Sequence, residues 1–267
     1  MNETSALHPA EAIEPSVRSA EGRAKLAIAA LSLTLASRLF NGWTAFAQNE
    51  LIHKIEGGEQ VDQARLATSD LLVAVAGVGQ FALLIVTAVL FLRWLHRTSA
   101  TARMLGALLL HSPKDAVWAF FIPFVNLKRP YDVVKNLHDA LLDPSLPEAK
   151  AMMVADGAGG YRSVQMQAPP PPVALPAAAV GAWWGMYILS GFVANGASRA
   201  NDSTLAGLAS RNVGTMFSSA FDIVSAVLAI VMVRGVTARL TERYRRVRHN
   251  SPEALNAAGV VLEPPAI

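Results

Sequence analysis

Residues 71–92 read LLVAVAGVGQFALLIVTAVLFL, twenty-two residues without a charged side chain, and this stretch decides the fold class. A helix needs about 20 predominantly apolar residues to cross the hydrocarbon core of a bilayer. Asp70 precedes the stretch and Arg93 follows it, so that a charged residue bounds each end. The stretch therefore predicts a transmembrane helix, and with it an integral membrane protein.

The composition of the whole chain indicates the same class. Of its 267 residues, 52% are hydrophobic and only 16% are charged, which is more apolar than an average soluble domain. The formal net charge is +3, and the chain contains no cysteine. The absence of cysteine excludes a disulfide framework, a thiolate metal site and a thiol nucleophile.

Three further stretches are long and apolar enough to form transmembrane helices. They are residues 26–47, 174–195 and 213–233. The first contains one charged residue, Arg38, the last contains one, Asp222, and the remaining stretch contains none. We therefore predict an all-α integral membrane protein with four transmembrane helices, in a membrane domain of residues 24–240.

Neither end of the chain is predicted to form a span. Residues 1–23 include Pro9 and Pro15 and show no apolar period that could build a core, which predicts a disordered tail. The run RLTERYRRVRH at residues 239–249 is basic, and we predict that residues 241–267 form a basic and then disordered tail. Because the basic run directly follows a span, we expect it to attract anionic lipid headgroups rather than nucleic acid.

Lys and Arg residues are distributed unevenly around the four predicted spans. Eighteen of them fall in the two end segments and in the long segment between the second and third spans, and only four fall in the two short loops. Basic residues near the ends of spans are retained in the cytoplasm. We therefore predict that both termini and the long middle segment are cytoplasmic.

The middle segment contains a second unusual stretch, AVWAFFIPFVNLKRPYD at residues 116–132. Its apolar part is too short to cross a bilayer and too apolar for a surface loop. Pro123 interrupts any helix there, whereas Asn126 and Pro130 are typical of a new helix start. We predict a re-entrant or interfacial segment. Its motif residues are Trp118, Phe121, Pro123, Asn126, Lys128, Arg129, Pro130 and Tyr131.

A short amphipathic helix is predicted to follow, so that the interfacial region covers residues 116–142. Its apolar residues fall on one face at helical spacing: Val133, Val134, Leu137 and Leu141. Prolines at positions 144 and 147 end this helix. Residues 144–172, which are rich in proline and glycine, are predicted to form a linker.

The pattern W-x-x-FIPxxNLxxPY at residues 118–131 resembles the signature of a bacterial family of four-span membrane proteins catalogued as a domain of unknown function. The similarity extends to LRWLHR at residues 92–97, to Trp183 with Trp184, and to VRGVTAR at residues 233–239. It covers roughly residues 25–245 of this chain. The resemblance implies the four-span architecture and a bacterial inner membrane, and it supplies no substrate, cofactor or catalytic residue.

Two opposite charges lie inside predicted spans. Arg38 and Asp222 are each nine positions from the outer end of their span, roughly 13 Å deep at about 1.5 Å per residue. Charges at this depth are costly unless they are paired. We predict that Arg38 pairs with Asp222, and that Gln80 and Asn41 complete their hydrogen bonds. The pair either fixes the helix arrangement or forms part of an ion or proton path, and both alternatives stay open at this point.

Two other sets of residues are expected to shape the bundle. Gly181 and Gly185 have the small-xxx-small spacing that lets helix backbones approach closely, which favours internal packing. Trp94, Trp118 and Trp183 are expected to be anchors at the membrane interface, a common role of tryptophan in membrane proteins.

Residues that could carry catalysis are few. His96, His111 and His138 do not have metal-ligand spacing, so we predict solvated histidines and no metal or other cofactor. An enzyme would have to use His111, Asp115 and Asp139 near the inner face, and their spacing matches no catalytic motif.

We therefore predict an integral inner-membrane protein whose activity the sequence does not specify, most simply a structural or interaction module and not an enzyme. Transport of a small solute, ion or proton through the layer of Arg38, Gln80 and Asp222 is the alternative. The expected partners are anionic lipid headgroups and either a second copy of the chain or another membrane protein, but not nucleic acid.

Overall fold

The computed structural model describes residues 9–142, 152–155, 161–164, 177–200 and 203–249. Within these ranges the chain is helical except for turns and two short strands. The elements in chain order are α1 (Pro9–Glu56), α2 (Gln63–Met104), α3 (Pro113–Trp118), a 3-10 helix (Val125–Leu127), α4 (Arg129–Leu142), β1 (Met152–Ala155), β2 (Tyr161–Val164), α5 (Ala177–Ala197) and α6 (Leu205–His249).

Three helices, α1, α2 and α6, are long and apolar enough to cross a membrane. They contain 48, 42 and 45 residues, so each predicted span is the middle part of a longer helix. The predicted span at residues 174–195 corresponds to α5, a helix of 21 residues.

The helices pack in the spatial order α2, α1, α6, α5. Helix α1 packs along both α2 and α6, and α6 packs along α5. Hydroxyl groups join neighbouring helices inside this bundle, as expected where apolar surfaces alone give little association in lipid. Thr34 of α1 and Thr87 of α2, for example, lie 2.9 Å apart at their Oγ1 atoms. The shorter α3 and α4 lie near one end of the bundle, against α2, α5 and α6.

The amino-terminal segment corrects the predicted disorder of residues 1–23, because α1 begins at Pro9 and its first turns are packed. From this segment onward, α1 buries a stripe of mostly small residues at spacings of three and four. The stripe consists of Val17, Ala20, Ala24, Ala27 and Leu31. Alanine has weak hydropathy, so the stripe is not visible as an apolar run, yet it lets α1 approach its neighbours closely. Residues 1–8 lie outside the described part of the chain.

The carboxy-terminal segment also differs from the prediction, because α6 continues as a helix to His249. Arg239 and Arg243 of the predicted headgroup-binding run are only 2% and 4% exposed. The Arg243 guanidinium donates hydrogen bonds to the carbonyl oxygens of Leu105 (3.0 Å) and Ala140 (2.9 Å). Carbonyl groups at helix ends lack partners within their helix, so an arginine between two such ends is held in place. Residues 250–267 lie outside the described part of the chain.

The tryptophans correct a further expectation. Trp94 and Trp183, predicted as interface anchors, are buried within the bundle, whereas Trp118 is exposed. The Trp94 indole donates a hydrogen bond of 3.1 Å to Thr237 Oγ1 on α6. Trp183 contacts Phe91 and the neighbouring Trp184, with ring centroids 5.8 and 5.3 Å apart. These rings fix the packing of α2 and α5 against the rest of the bundle.

The glycine pair in α5 does not form the predicted close helix contact. A Cβ atom at Gly181 would lie 3.7 Å from the Tyr131 ring, and one at Gly185 would meet no atom within 4 Å. The close approach is at Gly214 of α6, where a Cβ atom would lie only 2.5 Å from the Ala197 Cβ atom of α5. A small-residue spacing identifies faces that permit contact, but not which face a neighbouring helix uses.

Two strands lie inside the predicted linker at residues 144–172. β1 and β2 pair in antiparallel register, with Met152 opposite Val164 and Ala155 opposite Tyr161. The remainder of the predicted linker lies outside the described residues.

Candidate functional site

Arg38 of α1 and Asp222 of α6 are brought together in the structure. The Arg38 Nη1 and Asp222 Oδ2 atoms are 2.9 Å apart, and the two side chains are 16% and 12% exposed. Equal depth in the bundle, which the sequence predicted from the fixed rise of a helix, places them side by side. Each charge compensates the other in surroundings that would otherwise make it costly.

The other two members of the predicted polar layer bond to each other and not to this pair, which corrects the prediction. Asn41 Nδ2 donates a hydrogen bond of 2.8 Å to Gln80 Oε1. This bond joins α1 to α2, whereas the ion pair joins α1 to α6. The depth of a residue in the bundle follows from its position along the helix. The rotation of each helix about its axis depends on the packing of the whole bundle, and the spacing of residues in the sequence does not predict it.

A row of polar residues on α6 surrounds Asp222 and was not predicted. Ser218 and Ser225 lie four residues before and three after it, on the same helix face. The Ser218 and Ser190 hydroxyl oxygens are 3.2 Å apart, and Ser225 Oγ donates to the Trp183 carbonyl oxygen at 3.3 Å. Both contacts join α6 to α5. The signal was present in the sequence, as small polar residues at helical spacing around a buried charge.

The predicted interfacial segment forms a series of turns between α3 and α4. Its large apolar side chains are exposed: Trp118 by 62%, Phe121 by 58% and Phe124 by 87%. Phe124 has φ 62°, a backbone region that residues with a side chain seldom adopt. The segment is fixed to α5 by a hydrogen bond of 2.7 Å from Trp184 Nε1 to the Leu127 carbonyl oxygen.

The rest of the motif lies around the start of α4. Lys128 and Arg129 are exposed, Pro130 is buried, and the Tyr131 ring lies over Gly181. The four apolar residues predicted for one face of the amphipathic helix, Val133, Val134, Leu137 and Leu141, are all buried. The motif therefore connects the exposed turns to the bundle.

A cavity of about 250 Å³ lies between the ion pair and this segment. Arg38 and Asp222 line it, together with Asn126 of the motif and the aromatic residues of α2 and α5. A second, adjoining cavity of about 410 Å³ shares those polar residues and extends along α5. The charged pair and the motif, which are far apart in sequence, therefore belong to one site.

Two of the titratable residues considered for catalysis or metal binding, His138 of α4 and Asp115 of α3, have structural partners. His138, which was predicted to be solvated, is buried, and its Nδ1 atom lies 2.8 Å from Asp139 Oδ1. The Ser112 hydroxyl donates to Asp115 at 2.6 Å, and this bond holds the pKa of the Asp115 carboxyl below its usual value. Among the described residues, no group of three or more His, Asp or Glu side chains could hold a metal ion.

Comparison with known proteins places these features in a family. No curated protein and no solved structure matches the chain significantly. A family model described as Domain of unknown function (DUF4328) matches residues 57–238, which is more than half of the chain. The match contains Asp222, Gln80 and the whole interfacial motif, whereas Arg38 and Asn41 precede it. The chain therefore belongs to the DUF4328 family, a domain of unknown function.

Proposed function

We propose that this protein is a four-span protein of the bacterial inner membrane that serves as a structural or interaction module and not as an enzyme. Both termini are cytoplasmic in this proposal. Its partners are anionic headgroups and either a second copy of the chain or another membrane protein. The observation that carries the proposal is the closed ion pair between Arg38 and Asp222, which joins the two central helices.

The path of the chain supports a fourth span. The end of α2 and the end of α6 lie at the same end of the bundle, because Arg243 bonds to the Leu105 carbonyl oxygen. The chain must therefore return across the bundle between α2 and α6. Helix α5 makes this crossing: Gly181 near its start lies against Tyr131, and Ala197 at its end lies against Gly214. Its 21 residues extend about 31 Å at about 1.5 Å per residue, enough to span a bilayer.

The exposed aromatic residues support immersion of the interfacial segment in the inner leaflet. Trp118, Phe121 and Phe124 are apolar, adjacent and exposed, and a soluble protein rarely presents such a patch to water. Lys128 and Arg129 follow directly and are also exposed, at a position suited to headgroup phosphates.

Spin labels test the immersion directly, and the absence of native cysteine makes each introduced cysteine a unique attachment point. Labels at Phe121→Cys and Phe124→Cys are expected to collide with oxygen dissolved in lipid more than with a water-soluble nickel reagent. A label at Glu59→Cys, in an exposed loop position, is the aqueous control. Full accessibility of both aromatic positions to the nickel reagent would contradict immersion.

Charge reversal tests the structural role of the ion pair. Arg38→Asp and Asp222→Arg each place two like charges together, and breaking a buried pair costs about 3–5 kcal/mol. We expect each single variant to lose membrane-embedded protein and thermal stability. The double variant, which restores opposite charges, is expected to recover both.

The alternative is transport of an ion, a proton or a small solute, and it is favoured by the fact that Arg38 and Asp222 line cavities. If both single variants were as stable as the native protein, the two charges would have to be hydrated, and transport would become the better proposal. Flux into liposomes that contain the purified protein then distinguishes the two, because a purely structural module gives no flux above protein-free liposomes.

A further inference from the structure

A lateral groove runs between α2 and α5, which lie on opposite sides of the central α1 and α6 pair. Its floor carries Arg38 from α1 and Asp222 from α6. The turns at Phe120 and Phe121 border the cavity at one end of the groove. In the four-span arrangement proposed above, this groove faces lipid.

The walls of the cavity are unusually aromatic. Phe120 lies edge-on to both Phe91 and Trp184, with ring centroids 5.9 Å apart in each case. Trp184 and Tyr187 stack at 5.1 Å and 24°. Surfaces of this kind suit a flat ring, which stacks on or packs edge-on to aromatic side chains.

The cavity also has polar groups in its lining, contributed by the ion pair and by the interfacial motif. Arg38 Nη1 is used by Asp222, whereas Arg38 Nε is buried and has no hydrogen-bond acceptor among the described residues. The Asn126 side chain adds an amide group to the same lining. A buried donor without an acceptor is costly, so a ligand that offers an oxygen acceptor would be favoured here.

The charge of the site restricts the ligand further. Arg38 and Asp222 neutralise one another, so an anionic ligand would add an uncompensated charge in apolar surroundings and compete with Asp222. A neutral carbonyl oxygen brings no such penalty. A volume of about 250 Å³ is smaller than the usual range for drug-sized ligands, so it accommodates a single ring and not a whole amphiphile.

We propose that this groove binds a neutral, membrane-soluble ring compound with carbonyl acceptors and an apolar tail, the chemical class of the isoprenoid quinones. The ring lies among Phe91, Phe120 and Trp184, its carbonyl oxygens accept from Arg38 and Asn126, and the tail leaves into lipid between α2 and α5. The inference goes beyond the structural role proposed above and assigns Asn126 of the interfacial motif a ligand contact.

Quenching of tryptophan fluorescence tests this proposal, because Trp183 and Trp184 line the cavity and quinones quench indole emission. The full-length protein in nanodiscs is titrated with decylubiquinone. We expect saturable quenching that decylbenzene does not reverse by competition, because decylbenzene has no carbonyl acceptor. Relief of this quenching by added palmitate would show that an anionic amphiphile takes the same site, and would overturn the requirement for a neutral ligand.

Matched variants locate the site. Ala88→Phe fills the cavity from α2 and is expected to weaken binding at least tenfold, whereas Ala82→Phe, exposed on the same helix and not in the lining, leaves binding unchanged. Asn126→Leu removes one donor without breaking the ion pair and is expected to weaken binding severalfold. Native affinity in both Ala88→Phe and Asn126→Leu would overturn the proposal.

Discussion

Gly214 lets the start of α6 approach the end of α5. A methyl group there would lie 2.5 Å from the Ala197 Cβ atom, too close for the helices to stay in place. We expect Gly214→Ala to lower the free energy of unfolding by about 1–3 kcal/mol, the usual cost of overpacking. Denaturation in detergent micelles, followed by circular dichroism, measures this loss.

Gly185→Ala is the matched control for that substitution. No atom lies within 4 Å of a Cβ atom at Gly185, and alanine favours a helix over glycine. Its free energy of unfolding should therefore stay the same or rise slightly. An equal loss in both variants would show that helix flexibility, and not the contact with Ala197, is the reason glycine is needed.

Arg243 is the residue that joins three helix ends. Its guanidinium bonds to carbonyl oxygens of Leu105 and Ala140 while its stem belongs to α6. Arg243→Met keeps the apolar stem but leaves those carbonyl groups without this donor, and a hydrogen bond from a charged group contributes about 1.5–3 kcal/mol. We expect a clear fall in melting temperature in detergent.

The neighbouring Arg245 supplies the control, because its side chain is 72% exposed. Arg245→Met should change the melting temperature little, since exposed ion pairs contribute at most about 1 kcal/mol. Equal falls for the two variants would point to net charge, and not to the bonds at the helix ends.

Asp115 gives a pH-dependent contact at the start of α3. The Ser112 hydroxyl donates to its carboxylate, and the Asp115 backbone N–H donates back to Ser112 Oγ. Because the pKa of Asp115 is lowered in the folded protein, this contact stabilises α3 above the ordinary aspartate pKa of about 3.9 and is lost as the pH falls through the folded value. In Ser112→Ala the pKa should rise, whereas Ser112→Thr keeps the hydroxyl. An NMR titration that follows the Asp115 carboxyl carbon measures its pKa in both variants. An unchanged pKa in Ser112→Ala would show that the Ser112 hydroxyl is not the cause of the lowered pKa.

At the level of elements, the first turns of α1 are a packed part of the bundle. Ala20 in the small-residue stripe is fully buried, and Ala20→Leu forces a larger side chain between α1 and its neighbours. We expect a loss of about 1–3 kcal/mol. Gly22→Leu, on the exposed side of the same turn, is the control, because no atom lies within 4 Å of its Cβ position. Thermal unfolding of both variants makes the comparison, and equal stability would mean that this turn is not packed.

Hydropathy predicts the middle of each long helix but not its ends. Residues 71–92 can be recognised as a span in the sequence, because a helix that crosses lipid needs an unbroken apolar run. The continuation of α2 to Met104 depends instead on packing against other helices. The packed start of α1 is likewise a helix end that hydropathy does not predict. Its stripe combines alanines with charged neighbours, a composition that occurs in helices and in unstructured tails alike.

The sequence predicted how deep the polar residues of the candidate site lie in the bundle, but not all of their hydrogen-bond partners. The pairing of Arg38 with Asp222 follows from the rise of a helix and the cost of an unpaired charge. Hydrogen bonds such as Asn41 to Gln80 depend on helix rotation, which is fixed by the packing of all four helices together. The burial of Trp94 and Trp183 has the same origin, since tryptophan suits both an interface and an aromatic core.

For the whole molecule, the number of crossings and the position of the basic residues are linked. Three crossings would leave Arg245 on the same side of the membrane as Glu59, and four crossings place them on opposite sides. The contact of Arg243 with Leu105 requires the ends of α2 and α6 to lie together, which agrees with four. The same arrangement gathers most of the Lys and Arg residues at one end.

Single-cysteine labelling in intact spheroplasts tests that arrangement, and the chain has no native cysteine to interfere. Glu59→Cys, at an exposed position after α1, should react with a membrane-impermeant maleimide at once. Arg245→Cys is expected to react only after the membrane is permeabilised, because we propose that the basic end of α6 is cytoplasmic. Labelling of both variants from outside would mean three crossings, and then α5 would have to lie within one leaflet. Labelling of Arg245→Cys alone would reverse the orientation, and the basic end of the bundle would have to be held outside against the usual charge bias.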